Sequence, residues 1–370
     1  MEKKLKVLMV VFNLSVANGV SSYVMNYFRN LDHEKIDMDF VAYQDVGTPY
    51  YKEIEENGGK VFILPSIRNT QKHLQAAKKV ILEGQYDIVH DNILILSYFL
   101  MNYAKKYGVP VRIIHSHNSR LGETKYKEIR NKIFMPLLLS QMNTYFACSD
   151  LAAKGMFGNA TYTFVPNVIS SEKIHYDSDI RNIFRTRFNA DNKIVIGTVG
   201  RLAYQKNPFY ALEVIAELYK INPRIQYWWI GDGPLENEVK EYVHKLGLDG
   251  VVRLLGRRAD VEKLYQAMDI FFLPSKFEGL PVTGVEAQAM GLPCIVSDTI
   301  TKEFVYTDLV KFISIQKQPA VNAEIIASVD IQTLQRTKYR RNLEESVFID
   351  KNAGSFLLDI YHRLYSSCTL

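Results

Sequence analysis

The feature that most constrains the fold of this sequence is an alternation of short apolar runs with longer amphipathic stretches. The first half contains runs typical of buried strands at residues 6–12, 37–42, 60–64, 88–90, 112–115, 144–147 and 163–165, with helical patterns at 20–31, 70–83, 94–106 and 150–157. Strands that alternate with helices form a parallel sheet, because each crossover helix packs back onto the sheet. The sequence therefore predicts an α/β, doubly wound domain.

The alternation stops over the less regular residues 166–192 and then restarts. The second series of predicted strands covers residues 193–199, 226–230, 252–255, 269–274, 293–296 and 312–315. A length of 370 residues also favours two domains. We therefore predict Rossmann-like domains over residues 1–170 and 193–349, joined by a linker over 171–192 and facing each other across a cleft, where ligands bind at the carboxyl ends of the strands.

The cysteines, the N-terminal pattern and the apolar runs indicate the cellular compartment of the protein. The cysteines Cys148, Cys294 and Cys368 lie far apart and show no metal-ligand spacing, which suits a reducing compartment. The N-terminus leads directly into a strand without a signal-peptide pattern, and the apolar run 93–101 is far shorter than the roughly 18 residues of a membrane span. We expect a cytoplasmic protein. The net charge of +5 is mild, and we expect no nucleic-acid partner.

Residues 275–297 carry the strongest chemical signal. After a predicted strand, Glu278 and Gly279 form the tip of a loop, and Pro281 stands where a helix can begin, because proline lacks an N–H that would be unpaired there. The predicted helix 282–290 ends at Gly291. A helix N-terminus at the end of a buried strand is a usual site for an anion such as phosphate.

Two carboxylates flank that helix N-terminus. Glu278 lies at the loop tip and Glu286 about one turn inside the helix. Carboxylates do not bind phosphate, but they accept hydrogen bonds from hydroxyl groups. The arrangement suits a ligand with hydroxyl groups at both ends and a diphosphate between them, which is the layout of a nucleotide sugar.

The spacing of the two glutamates, with Gly279-Leu280-Pro281 after the first, resembles the signature of retaining glycosyltransferase family 4, whose members have the GT-B fold. The resemblance spans most of the chain and is strongest over residues 193–298; the bacterial members that look most similar make exopolysaccharide or capsule. It implies two Rossmann-like domains, with a final helix, predicted at 351–366, that crosses back so that residues 350–370 complete the first domain. It also implies a retaining hexosyltransferase that uses a nucleotide diphosphate sugar, which we expect to be a UDP-sugar.

A second motif follows the predicted strand 193–199. Arg201 and Lys206 lie on a strand-end loop before Pro208, and two permanent cations there suit a diphosphate leaving group. This pair matches the arginine and lysine of the family. We expect these cations and the helix N-terminus to hold the diphosphate without a metal or another cofactor. By resemblance, the donor-binding residues of that N-terminus are Gly279, Leu280, Pro281 and Val282.

The resemblance implies further roles. Glu278 would orient the transferred sugar, Glu286 would bind the ribose, and Arg257 would lie near the nucleotide base. His117 would contact the sugar from the first domain. Gly19, at the start of the first predicted helix, would let the backbone approach the donor closely. We therefore predict His117, Arg201, Lys206 and Glu278 as the catalytic residues.

Several alternatives remain open at this point. His115 and His117 are two residues apart, but no third metal ligand is evident. His90 is expected to be a structural histidine. A nucleotide-sugar epimerase or phosphorylase would share the fold, and a non-catalytic module would bind a nucleotide sugar without breaking it. A nicotinamide-dependent dehydrogenase is disfavoured because Gly231-Asp232-Gly233 does not continue into a dinucleotide fingerprint.

Residues 120–139 bear on the acceptor. The stretch places Arg120, Lys125, Lys127, Arg130 and Lys132 before the apolar run 134–139. Basic residues beside an exposed apolar face are typical of membrane-surface segments. The alternative is a helix whose apolar side packs on its own domain. We expect a glycan or polyprenyl-diphosphate-linked acceptor, and contact with the cytosolic face of an anionic membrane through this stretch.

Overall fold

The chain divides into two units, and each is built on its own parallel sheet. The computed structural model describes residues 3–16, 18–122 and 124–369. The first unit comprises Met1–Val168 and Asp350–Leu370, and the second comprises Ile169–Ile349. Residues 171–192, which the sequence suggested as a linker, belong to the second unit.

The first unit is built on a seven-stranded sheet within the described residues. Its strands are β1 (Leu5–Val11), β2 (Ile36–Ala42), β3 (Val61–Ile63), β4 (Ile88–Asp91), β5 (Val111–Ser116), β6 (Thr144–Ala147) and β7 (Thr163–Phe164). Its first helices are α1 (Gly19–Arg29), α2 (Pro49–Glu56), α3 (Thr70–Gly84), α4 (Tyr98–Lys106), α5 (Lys125–Leu139) and α6 (Asp150–Phe157). The strand order is β3-β2-β1-β4-β5-β6-β7, with parallel pairing throughout. The order reverses between β1 and β4, where doubly wound sheets place their ligands.

The second unit has a six-stranded parallel sheet within the described residues, ordered β10-β9-β8-β11-β12-β13. The strands are β8 (Ile194–Val199), β9 (Ile225–Ile230), β10 (Val252–Leu254), β11 (Ile270–Leu273), β12 (Cys294–Ser297) and β13 (Val310–Ile313). The helices are α7 (Ser178–Arg187), α8 (Pro208–Ile221), α9 (Glu236–Lys245), α10 (Val261–Ala267), α11 (Val282–Ala289), α12 (Pro319–Ala327) and α13 (Tyr339–Glu344). The last helix, α14 (Ala353–Thr369), returns to the first unit.

Each strand predicted from an apolar run is present, and its boundaries shift by no more than two residues. Two other predictions are wrong. The single helix predicted over 94–106 is a 3-10 helix, Leu94–Ser97, followed by α4. Leu94 has a left-handed backbone with φ 63°, which an α-helix does not accommodate, so the α-helix begins only at Tyr98.

The second wrong prediction concerns residues 166–192, which were expected to be less regular and to interrupt the strand–helix pattern, but which contain α7. Asp177 caps this helix by accepting hydrogen bonds from the N–H groups of Asp179 and Ile180. Arg181 and Arg185, one turn apart, both form ion pairs with Asp269. The helix is highly charged and is fixed by tertiary ion pairs, so apolar periodicity did not reveal it.

The final helix completes the core of the first unit, as predicted. Leu357 and Tyr361 are fully buried in the same cluster as the residues of β1 and α1. At Gly354, the helix approaches the end of α1 so closely that an added Cβ would lie 1.6 Å from the carbonyl oxygen of Asn30. Only glycine allows this backbone contact.

We predict that Gly354→Ala destabilises the protein, because the added methyl group forces α14 away from α1. Overpacking of this kind typically costs about 1–3 kcal/mol. Thermal unfolding would show a clear drop in Tm. Gly250→Ala is the matched control, because a Cβ there meets nothing within 4 Å and the backbone needs no positive φ. Equal Tm values for the two variants would contradict the predicted packing.

Candidate active site

Two loops at the carboxyl ends of neighbouring strands form the candidate site of the second unit. Strands β8 and β11 pair directly, so the loops that follow them lie side by side. The loop after β8 contains a 3-10 turn, Tyr204–Lys206, and the loop after β11 leads into α11. The backbone N–H of Lys276 donates to the carbonyl oxygen of Gln205 at 2.8 Å, which joins the two loops.

The central contact of the site is a largely buried ion pair. Lys206 Nζ lies 2.5 Å from Glu278 Oε1, and the two side chains are only 14% and 8% exposed. Gln205 Nε2 donates to the other carboxylate oxygen, Oε2, at 2.9 Å, and lies 3.0 Å from the carbonyl oxygen of Phe277. A carboxylate removed from water needs such partners, because an unpaired buried charge is very costly. The structure thus brings together two of the four predicted catalytic residues.

Glycines allow the strand-end loops to pack tightly beneath this ion pair. A Cβ on Gly200 would lie 2.8 Å from Cε of Lys206. A Cβ on Gly231 would lie 2.2 Å from the carbonyl oxygen of Gly200, and one on Gly233 would lie 2.3 Å from that of Leu202. The Gly231-Asp232-Gly233 turn therefore serves as a packing surface for the loop that carries Arg201 and Lys206.

The two predicted arginines are more exposed than the ion pair. Arg201 directly follows Gly200 at the end of β8, and its side chain is exposed. Arg257 follows β10 and pairs with Asp232, with Nε 3.1 Å from Oδ2. Both arginines lie at the carboxyl end of the sheet.

The N-terminus of α11 begins at Val282, as predicted, and no side chain caps it. The preceding residues Gly279, Leu280 and Pro281 are buried, with Pro281 in the N-cap position. The helix gives way to Gly291, whose φ of 67° ends it in a left-handed turn. The N–H groups of Gly284 and Val285 donate to the carbonyl oxygen of Pro281, so those of Val282 and Thr283 are the ones placed to serve an anion.

Glu286 lies one turn inside α11 and is half-buried. Tyr265 Oη donates to Glu286 Oε2 at 2.9 Å. Burial raises the pKa of Glu286 to about 7, although the hydrogen bond from Tyr265 acts in the opposite direction. Near neutral pH the carboxyl therefore exchanges readily between an acceptor and a donor of hydrogen bonds.

In the first unit, His117 follows β5 and is half-buried. Its Nε2 lies 2.8 Å from Asn92 Oδ1, and its ring stacks on His115 with centroids 4.0 Å apart. Burial lowers the pKa of His117 to about 3, so the imidazole is neutral at physiological pH. His90 is a buried structural histidine, as expected, with Nδ1 2.7 Å from Tyr361 Oη and Nε2 3.1 Å from His115 Nδ1.

Gly19 is the first residue of α1, and a Cβ there would meet nothing within 4 Å. Packing therefore does not require glycine at this position, and the backbone is open to a ligand. The preceding Asn18 caps the helix, with Oδ1 accepting from the N–H groups of Val20 and Ser21 at 2.9 and 3.3 Å. In contrast to α11, the donors at the start of α1 are already engaged.

A cavity of about 180 Å³ opens beside Gly19, at the carboxyl ends of β1 and β4. Its lining combines amide and apolar side chains: Phe12, Asn13, Asn18, Val20, Asn92, Ile93 and Leu96. Asn92, the partner of His117, is part of this lining.

No three His, Cys, Asp or Glu side chains among residues 3–16, 18–122 and 124–369 are grouped to hold a metal ion. Asp-x-Asp sequences occur at 37–39 and 177–179, but both serve the fold. Asp39 accepts hydrogen bonds from the N–H of Lys60 and from Tyr86 Oη, and Asp177 caps α7. His115 and His117 stack on each other and do not converge on a common point.

Helix α5 carries the basic stretch and exposes a row of large apolar side chains. The exposed fractions are 76% for Tyr126, 61% for Ile129, 66% for Ile133, 46% for Phe134 and 51% for Leu137. Met135 and Leu138 alone of the helix residues are buried and pack inwards. The alternative in which the apolar side packs on its own domain therefore holds only for those two residues. In the described parts of the chain, every helix is too short or too polar to span a bilayer.

Sequence reasoning missed three contacts of the candidate site. Gln205 stands beside Lys206 in the motif, and its position next to a predicted ligand was a signal that could have been used. Tyr265 and Asn92 gave no such signal, because each reaches its partner only through the fold, from 21 and 25 positions away in the sequence.

We predict that Glu286→Gln makes stability less sensitive to pH. The carboxyl holds its proton more tightly in the folded chain than in the unfolded one, so the folded state loses stability as pH rises from 4.5 towards about 7. Glutamine keeps an acceptor for Tyr265 but does not ionise. As pH rises from 5 to 8, the wild type should lose on the order of 2 kcal/mol of unfolding free energy that the variant keeps.

Urea unfolding at the two pH values tests this, with Glu324→Gln as control because Glu324 is exposed on α12. If Glu286→Gln shows the same pH dependence as the control, the carboxyl of Glu286 ionises normally and the proposed burial effect is wrong.

Comparison with known proteins places these features in a family. The model for glycosyl transferases group 1 matches residues 179–345, and the model for Glycosyltransferase Family 4 matches residues 17–162. The chain is 31% identical over 358 residues to the putative glycosyltransferase EpsF of Bacillus subtilis, covering 93% of each protein. It is 27% identical over 302 residues, 77% of each, to the UDP-Gal:alpha-D-GlcNAc-diphosphoundecaprenol alpha-1,3-galactosyltransferase of Escherichia coli.

Solved structures show the same architecture. HepE of Anabaena, crystallised with UDP, superposes with a TM-score of 0.76 at 15% identity, covering 96% of this chain and 99% of that one. Sucrose-phosphate synthase of Thermosynechococcus elongatus superposes with a TM-score of 0.78 at 15% identity, covering 98% and 100%. The resemblance inferred from the glutamate motif is confirmed: the chain belongs to glycosyltransferase family 4 and is a glycosyltransferase of the GT-B fold.

Proposed function

We propose that this enzyme is a retaining hexosyltransferase that moves a sugar from a UDP-sugar to a glycan or polyprenyl-diphosphate-linked acceptor in polysaccharide biosynthesis, without a metal ion. The observation that carries the proposal is the paired Lys206 and Glu278 beside the uncapped N-terminus of α11. The donor is supported by HepE, solved with UDP. The acceptor class is supported by the name of the Escherichia coli galactosyltransferase, and the role in polysaccharide biosynthesis by that of the capsular polysaccharide biosynthesis glycosyltransferase CapH of Staphylococcus aureus.

The diphosphate is held by protein charges in this proposal. Arg201, Lys206 and the first peptide groups of α11 all lie at the carboxyl end of the second sheet. When the donor binds, Lys206 Nζ donates to the diphosphate while it keeps its contact with Glu278, because an ammonium group has three N–H donors. Such preorganised donors stabilise the negative charge that grows on the leaving group as the sugar departs.

The two glutamates hold the ends of the donor. Both oxygens of Glu278 already accept hydrogen bonds, from Lys206 and Gln205, and each keeps a further lone pair for a sugar hydroxyl. Glu286, held by Tyr265, accepts from the ribose hydroxyls. Arg257 lies towards the base. The neutral imidazole of His117 contacts the transferred sugar without placing a positive charge beside it.

The transfer passes through an oxocarbenium-like transition state, as in glycosidic chemistry generally. The bond from the anomeric carbon to the diphosphate oxygen breaks, and the bond to the acceptor oxygen forms on the same face. The acceptor hydroxyl gives its proton to an oxygen of the departing UDP. Charge and atoms balance without a protein base, so the residues of the chain act by binding and by electrostatics.

Two other functions share the fold and make distinct products. A nucleotide-sugar epimerase would release a sugar isomer without any acceptor. A non-catalytic module would bind the nucleotide sugar and leave its bond to phosphate intact. The paired catalytic-type residues Lys206 and Glu278, with Gln205 in support, favour transfer over simple binding.

We predict that Glu278→Gln and Lys206→Met each slow donor turnover by on the order of 100-fold or more, because each removes a charge that acts on the donor. A panel of UDP-, GDP- and ADP-sugars, scored by thermal shift and by slow donor hydrolysis, needs no known acceptor. The matched controls are Glu217→Gln and Lys220→Met, which alter a solvent-exposed ion pair on α8. Near wild-type rates for both site variants would reject the assigned roles.

We further propose that α5 docks on an anionic membrane. Tyr126, Ile129, Ile133 and Leu137 lie along one exposed stripe of the helix, and the flanking Lys125, Lys127, Arg130 and Lys132 are exposed. An apolar stripe inserted among lipid head groups, with cations beside it, is the usual arrangement of an interfacial helix. Such contact would place the enzyme where a polyprenyl-linked acceptor resides.

Replacing Lys125, Lys127 and Lys132 with glutamine should weaken binding to phosphatidylglycerol vesicles on the order of 100-fold, since each lysine contributes about 1 kcal/mol near an anionic surface. Vesicle sedimentation measures this. The control replaces Lys220, Lys240 and Lys245 with glutamine. These lysines are exposed in the second unit, and their replacement removes the same amount of charge. Equal binding by the two triple variants would rule out α5 as the docking surface.

A further inference from the structure

Three strand ends of the first sheet converge on the imidazole of His117. Asn92 follows β4, His117 follows β5, and Asn167 lies shortly after β7. Asn92 Oδ1 lies 2.8 Å from His117 Nε2, and the side chain of Asn167 also hydrogen-bonds to His117. Both asparagines are nearly inaccessible, at 7% and 5% exposure. The ring is therefore held by two buried amides.

The orientation of the Asn92 amide determines where His117 carries its proton. Asn92 Nδ2 lies 3.1 Å from the carbonyl oxygen of Val10 and 3.3 Å from that of His90, and a carbonyl can only accept. The amide oxygen therefore faces His117, which must donate from Nε2. The neutral imidazole is the Nε2–H tautomer.

The ionisable groups around His117 come from several elements. The ring of Tyr23 on α1 lies 4.8 Å from that of His117, centroid to centroid, and the ring of His115 on β5 lies at 4.0 Å. Behind them, His90 on β4 bonds to Tyr361 on α14. Burial lowers the pKa of His90 to about 3, and that of His115 also falls.

Asp91 is an acidic residue that directly precedes Asn92 in the sequence. Its carboxylate accepts from Ser97 Oγ at 2.7 Å and from the N–H of Ile93 at 3.1 Å, so its hydrogen bonds are directed towards the 3-10 turn. The side chains that contact His117 in this way are therefore amides and uncharged rings.

We propose that Asn92 is a positioning residue that holds His117 as an uncharged Nε2–H imidazole during sugar transfer. This inference rests on the proposed function. An amide oxygen orients an imidazole N–H as a carboxylate would, but it does not stabilise the imidazolium ion as strongly. The distinction matters because the transferring sugar gains positive charge, which an adjacent imidazolium would oppose.

The test replaces Asn92 with aspartate, which has the same shape and adds a negative charge 2.8 Å from Nε2. The pKa of His117 should then rise. In the wild type the rate should not depend on His117 ionisation from pH 5 to pH 9. In Asn92→Asp, kcat should fall by about 10-fold or more at the acidic end and recover as pH rises, with little change in KM. Asn237→Asp, exposed on α9, is the matched control.

NMR of protein labelled with ¹⁵N-histidine gives a readout without substrate. The wild type should show His117 as one neutral Nε2–H tautomer from pH 5 to pH 9, and both Asn92→Asp and Asn167→Asp should raise its titration midpoint. If Asn92→Asp fails to fold, Asn167→Asp provides the same measurement.

The outcomes separate the two hypotheses. If the wild type transfers no sugar from any donor, the proposed function fails whatever the NMR shows. If the wild type transfers sugar but His117 is charged at neutral pH, carries its proton on Nδ1, or titrates identically in the aspartate variants, the inference about Asn92 is overturned.

Discussion

The candidate active site depends on the pairing of one buried positive and one buried negative charge, Lys206 with Glu278. Burial of either charge without the other would cost much free energy. The two loops that carry these residues also support each other. The glycines beneath them, Gly200, Gly231 and Gly233, follow from this constraint, because the loops must approach closely for the charges to meet. The site is thus preorganised before the donor arrives, which lowers the reorganisation required when charge develops.

The two units differ in electrostatic character at their strand ends. The second presents Arg201, Lys206 and an uncapped helix N-terminus, all of which favour anions. The first presents neutral imidazoles, amides and an α1 N-terminus already capped by Asn18. The strand ends of the second unit thus suit an anion such as the diphosphate of the proposed donor.

Much of the fold could be predicted because buried parallel strands are apolar runs bounded by turn residues, and these survive in the sequence whatever the tertiary context. Helix α7 could not, since its position depends on Arg181 and Arg185 meeting Asp269 more than 80 residues later. The site residues were found where a motif joined them in sequence. The direct pairing of Lys206 with Glu278 was not foreseen, because both had been assigned to the donor, and the role of Asn92 appears only once β4 and β5 lie side by side.

The position of α14 has a consequence for biosynthesis. The first unit contains the earliest residues of the chain, yet its core includes Leu357 and Tyr361. The second unit lies entirely within Ile169–Ile349. During translation, the second unit can therefore close its core first, whereas the first waits with apolar surface uncovered until the last helix emerges from the ribosome. We therefore expect the N-terminal half to be the part that needs chaperones. A premature stop codon shortly before residue 353 would remove α14 and so destabilise the first unit, although most of that unit lies far from the stop codon in sequence.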